Sequence, residues 1–168
     1  MRRQTEVVMI LALGLSPLAG CLPAGGGASQ KAAWQADGLP TRDTLLGRVV
    51  PQRFLGPKAA WSAAGPGLWT ATAGEGLVLT ARDAPTGAAA GYTLSAAERP
   101  ASIDKGSPIR NFVVAALPPH LASEAEAAAH RLQIFSDASE PAQAAVGGLV
   151  FSYTPAGAGY RVDVAASR

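Results

Sequence analysis

Charge is scarce in this chain. Asp, Glu, Lys and Arg make up 15% of it, against roughly 25% in typical soluble domains. The formal net charge is +2, and no cluster of Lys and Arg occurs anywhere. A nucleic-acid partner requires a basic stripe to neutralise phosphates, so none is expected. Cysteine occurs once, as Cys21, which excludes an intramolecular disulfide. The only histidines, His120 and His130, stand ten residues apart. Two ligands on one helical face need a spacing of three or four, so no metal site is expected, and no cofactor. No apolar run reaches the ~20 residues that span a bilayer as a helix. The nucleophile elbow G-x-S-x-G and the phosphate loops are also missing. Gly157-Ala158-Gly159 begins like a dinucleotide fingerprint but has no third glycine.

What the chain does contain is enough apolar material for a core, at 48% hydrophobic residues. Glycine (19) and proline (13) are frequent enough to imply many turns, yet fall short of the roughly 25–30% that marks a disordered chain. The length, 168 residues, suits one domain.

The N-terminus is the most informative segment. Arg2 and Arg3 precede an apolar run over residues 7–18, with Glu6 as the one acid in the flank. The run is too short to span a membrane and reads as the core of a signal peptide. Leu18-Ala19-Gly20-Cys21 follows. This sequence resembles the lipobox of bacterial lipoproteins. The resemblance implies cleavage between Gly20 and Cys21, a diacylglyceryl thioether on the Cys21 sulfur, and a further acyl chain, such as palmitate, on the freed amine. The residue types suit that chemistry: small side chains enter a peptidase cleft, and a thiol is the nucleophile that takes the lipid. One acyl chain anchors marginally, whereas two or three hold the protein to the membrane. Leu22 stands where an Asp would signal retention in the inner membrane, so the outer membrane is favoured, facing the periplasm. The competing readings are an ordinary secretory signal with a chance cysteine, and an uncleaved helix.

The expected organisation is a signal peptide at 1–20, a lipidated flexible tether at 21–38 and a single globular domain at 39–168. Pro23-Ala24-Gly25-Gly26-Gly27-Ala28-Ser29 offers little to bury. Trp34 would dock either on the domain or on the membrane surface. Strands are expected at 44–50, 68–73, 77–82, 92–95 and 111–117, and a closing hairpin at 148–154 and 160–165. Between them the period changes. Leu121, Ala125, Ala128, Leu132 and Phe135 recur at helical spacing, and Ser123 with Glu126 forms a capping box. This predicts one principal helix over 124–134, with a further helical turn at Ser139-Glu140-Pro141. The fold class is therefore α+β: a mainly antiparallel sheet of about five or six strands with one helix packed on a face. An all-β barrel or sandwich is the alternative.

Candidate chemistry is thin. Asp83, Asp104, Glu124, Glu126, Asp137, Glu140 and Asp163 are available carboxylates, but no spacing pairs two of them for acid–base work. Glu124 and Glu126 suit a helix N-terminus. Trp61, Trp69, Tyr92, Tyr153 and Tyr160 would form either a sugar-stacking face or core, and core is the expectation. His120 and His130 are expected to be a loop residue and a solvated helix residue. The leading functional expectation is a non-enzymatic, lipid-anchored envelope protein that binds or supports a partner, either an envelope protein or peptidoglycan. The order strand, helix, strand, strand from residue 111 onward also resembles the sporulation-related peptidoglycan-binding repeat. Phe112-Val113-Val114, residues 125–132 and Tyr160-Arg161-Val162 are the matching parts. That resemblance implies a glycan-binding module. A small envelope hydrolase joining a histidine, a serine and a carboxylate is the third reading.

Overall fold

The computed structural model describes residues 34–49, 58–72, 76–99 and 107–167, and for 135–138 the backbone alone. The expected signal peptide, Gly20, Cys21 and most of the tether lie outside these residues. So do Asp104 and the side chains of Phe135 and Asp137.

Among the described residues, seven antiparallel strands form one sheet. They are β1 (Ser62–Gly65), β2 (Leu68–Thr72), β3 (Leu77–Asp83), β4 (Ala89–Ala96), β5 (Ala142–Val146), β6 (Leu149–Ala156) and β7 (Gly159–Ala166), in the order β1-β2-β3-β4-β7-β6-β5. Three helices accompany it among the described residues: α1 (Arg42–Val49), α2 (Pro108–Ala116) and α3 (Ala122–Ala138), with a 3₁₀ turn at Pro119–Leu121. The α+β class stands, but with seven strands and three helices instead of five or six strands and one helix.

Period-two burial explains the sheet. Leu77, Leu79 and Ala81 of β3, Leu149, Phe151 and Tyr153 of β6, and Tyr160, Val162 and Val164 of β7 are buried. The register aligns them across neighbours, as Leu79↔Leu94, Leu94↔Val162 and Phe151↔Val164. One face of the sheet is thus continuous with a single core, which the helices complete. α1 packs on α2, α2 on α3, and α3 on β5 and β6.

Two segments expected to be strands are helices. Residues 44–49 of the first, with Val50 outside the described residues, carry β-branched and aliphatic side chains, yet α1 forms there because Thr41 caps it: the Thr44 amide donates to Thr41 Oγ1 at 3.3 Å. Asp43 lies in its first turn and Arg48 in its last, as the helix dipole favours. Leu45 and Val49, four apart, are buried together. Residues 111–116 form most of α2, and Leu117 follows it in an extended conformation. Proline at its first turn pre-sets helical φ, and Ile109, Phe112, Val113 and Ala116 are buried at helical spacing. Ala115 and Asn111 are buried too, so the helix is enclosed nearly all round. Its unbroken apolar run has no polar face to reveal a period.

The capping box at Ser123 is also corrected. α3 begins at Ala122 as a continuation of the 3₁₀ turn, so Ser123 sits inside the first turn. Glu126 instead accepts from Arg110 Nε at 2.7 Å, tying α3 to α2. The helical turn expected at 139–141 is absent. Ser139 ends α3 in the left-handed region at φ 61, and β5 follows from Ala142.

The β5–β6 turn is Gly147-Gly148, with φ of 59 and 79. Both positive values match the tight hairpin turn that suits twisted strands. A Cβ on Gly147 would also run into Leu121 Cδ1. Gly147→Ala is expected to cost about 1–2 kcal/mol from left-handed strain alone, read as a lowered urea midpoint. Gly148→Ala carries the strain without the overlap and should cost less; equal or absent losses would contradict this account.

Candidate functional site

Two polar assemblies stand out, and both are built from residues distant in sequence. The first lies where residues 34–42 meet β2, β3 and β4. Trp34 and Pro40 form an isolated bridge, and the Arg48 guanidinium sits 5.3 Å from the Trp34 ring centroid. The domain, rather than a free tether, therefore holds Trp34. Tyr92 donates its hydroxyl to Pro40 O at 2.6 Å. Trp61 Nε1 donates to Arg42 O at 3.0 Å.

Arg42 is the centre of this clasp. Its guanidinium lies 3.9 Å from the Trp69 ring centroid, and its Nη1 is 3.2 Å from Asp83 Oδ2. Trp69 Nε1 donates to the same carboxylate oxygen at 2.8 Å. Cation–π attraction and the ion pair act on one charge from two sides. Asp83 Oδ1 is buried without a hydrogen-bond partner. A shallow cavity of about 180 Å³ opens beside the clasp, lined by Gln35, Thr41, Arg42, Asp43 and the backbone around Gly87.

The second assembly lies on the face of the sheet opposite the core. Thr93 Oγ1 donates to Asp163 Oδ1 at 2.6 Å, and Arg161 Nη2 donates to the same oxygen at 2.6 Å. That hydrogen bond holds the Arg161 pKa above its ordinary value. Thr93 and Asp163 are direct cross-strand partners. The register extends the row in both directions, through Thr80, Thr70 and Ser62 on one side and Ser152 and Gln143 on the other. One uninterrupted line of hydroxyl, carboxylate and amide side chains therefore crosses all seven strands.

The other candidate residues are dispersed. His120 lies in the 3₁₀ turn and His130 on α3, both exposed. Glu124 is exposed in the first turn of α3. Among the described residues no group of three or more His, Cys, Asp and Glu could hold a metal ion. The five aromatic candidates do not make a stacking face. Tyr92, Tyr153 and Tyr160 are at most 2% exposed, and Trp61 and Trp69 are engaged in the clasp. Burial raises the pKa of Tyr92 and Tyr160 well above the usual phenol range. Sequence reasoning singled out Trp61, Trp69, Asp83 and Asp163. It missed Arg42, Thr93 and Arg161, because the partners that give them roles are 41 and 70 residues away in two of three cases.

No family model, no curated protein and no solved structure matches the chain.

Proposed function

We propose that this is a lipid-anchored protein of the bacterial cell envelope whose domain binds or supports a partner without catalysing a reaction. The observation that carries this reading is Leu18-Ala19-Gly20-Cys21 placed after a short apolar run. Residues 22–33 would then link the lipid to the domain, which begins by Trp34. At up to ~3.5 Å per residue that linker reaches on the order of 40 Å. The non-enzymatic part is supported by how the polar groups are used. Asp83 is committed to Arg42 and Trp69, Glu126 to Arg110, and Asp163 to Thr93 and Arg161. Each pairing is intramolecular and links two elements or two neighbouring side chains. The peptidoglycan-binding resemblance began with a strand at 111–117, a segment that is helical, so that order of elements does not support it.

Metabolic labelling tests the anchor. Radiolabelled fatty acid fed to producing bacteria is expected to enter the wild-type protein and to be absent from Cys21→Ala. Label in the variant, or a mature wild-type protein that retains its first twenty residues, defeats the proposal.

A further inference from the structure

We infer that the β1–β2 hairpin rests on a lipid bilayer, with its tip in the headgroup layer, beside the point where the chain from Cys21 enters the domain. Three observations converge on this surface. The first is exposure. Ser62, Ala63, Ala64 and Gly65 of β1 and Pro66 and Gly67 of the turn are all exposed. Successive side chains of a strand point to opposite faces, so the hairpin stands clear of the domain on both sides. The second is chemical. Residues 59–74 contain no Asp, Glu, Lys, Arg or His. A charged tip would have to shed its hydration to enter a lipid surface, and this one has no charge to shed. Trp61 and Trp69, both half-buried, flank the tip, and tryptophan favours the membrane–water boundary because its ring is amphipathic. Lys58 precedes the uncharged stretch and Arg82 pairs with Leu68 in register, both exposed. Such long basic side chains suit headgroup phosphates.

The third observation is position. Trp61 Nε1 donates to Arg42 O, and the Arg42 guanidinium lies over the Trp69 ring. Arg42 opens α1, and Arg48, ~9 Å further along that helix, lies over Trp34. The root of the hairpin and the entry of the chain from Cys21 are therefore neighbours. Residues 22–33 reach ~40 Å at most, so a lipid on Cys21 keeps this part of the domain at the membrane. The choice of a lipid surface as the partner rests on that anchor reading. The fold also limits the depth. Among the described residues β1 ends the sheet, and its outward N–H and C=O groups need partners. Hydrocarbon offers none, whereas headgroups and their water do. The contact is thus confined to the outer ~5–10 Å of the bilayer.

A depth measurement tests this. Protein purified from bacteria is placed in vesicles of phosphatidylethanolamine and phosphatidylglycerol, with a polarity-sensitive dye on Ala64→Cys or on Glu124→Cys. Glu124 is exposed on α3, which packs on β5 and β6 at the other end of the sheet. The dye at position 64 is expected to emit at shorter wavelength than the dye at 124. Nitroxide lipids labelled near the headgroup should quench it, and lipids labelled at mid-chain should quench it less. Ala63→Glu places a charge on the exposed hairpin and should return the dye at 64 to the emission seen at 124. Equal emission at the two positions, stronger quenching from mid-chain, or full quenching in Ala63→Glu would each overturn the inference. The parent protein, whose single cysteine is Cys21, is treated with dye in parallel and takes up none if lipid blocks that thiol. Uptake there rejects the anchor, and the same depth reading in a Cys21→Ala background then decides the hairpin contact. No uptake with a water-exposed dye at 64 rejects the hairpin contact alone.

Discussion

Leu132→Asp is expected to destabilise the domain by several kcal/mol, while Arg131→Ala, one residue earlier, stays within about 0.5 kcal/mol of wild type. Leu132 is fully buried, on the same stripe of α3 as Ala125, Ala128 and Ala129. Truncating a buried leucine costs about 2–5 kcal/mol through lost transfer energy and the cavity left behind. An aspartate adds an ionised group with no partner among apolar neighbours. Arg131 is exposed, and an exposed helical arginine replaced by alanine loses little. Urea unfolding followed by circular dichroism measures both. Equal midpoints for the two variants would mean that α3 is rotated about its axis from the orientation described.

Asp83→Ala is expected to cost about 2–3 kcal/mol. The Asp83 side chain is 12% exposed and that of Arg42 28%, so the pair is neither a surface ion pair nor a fully desolvated one. Surface pairs contribute only about 0–1 kcal/mol, and breaking a buried one costs about 3–5 kcal/mol. The intermediate figure follows from the partial exposure. Removal of Asp83 also leaves the Trp69 indole N–H without its acceptor. Arg42→Ala should be destabilising as well, through the ring contact and the ion pair. The double variant should lose less than the sum of the two, because each single change already breaks the shared interaction. Additive losses in a double-mutant cycle would show that the clasp is an arrangement of neighbours and not a coupled unit.

How much of this could be read in the sequence depended on whether an element shows two faces. β3, β6 and β7 alternate between core and open face, and their expected positions at 77–82, 148–154 and 160–165 match the strands within two residues. The buried stripe of α3 at Ala125, Ala128 and Leu132 was legible for the same reason. α2 was not, because Asn111-Phe112-Val113-Val114-Ala115-Ala116 is apolar on almost every side and only Pro108 hinted at a helix start. α1 was hidden by strand-forming residues, and its cap, Thr41, lies outside the segment that looked like a strand. β1 and β5 were missed because Ser62-Ala63-Ala64-Gly65 and Ala142-Gln143-Ala144-Ala145-Val146 have weak strand propensity. They are the two edges of the sheet, and they exist because β2 and β6 offer them a ladder. The clasp and the open-face row are harder still. They are products of register, and register between β4 and β7 cannot be read from either strand alone.

The strand order has a consequence for how this chain reaches its native state. β1 to β4 are joined by successive hairpins, and so are β5 to β7, so each half of the sheet can zip up from near neighbours. The seam between β4 and β7 is different: it unites partners such as Thr93 and Asp163, 70 residues apart, across a loop that contains α2 and α3. Closing that loop carries the largest entropic cost among the sheet's pairings, and long-range pairing of this kind slows folding. The seam is also where both halves of the polar row meet. The row therefore becomes continuous across all seven strands only through that long-range pairing, which no local hairpin can supply.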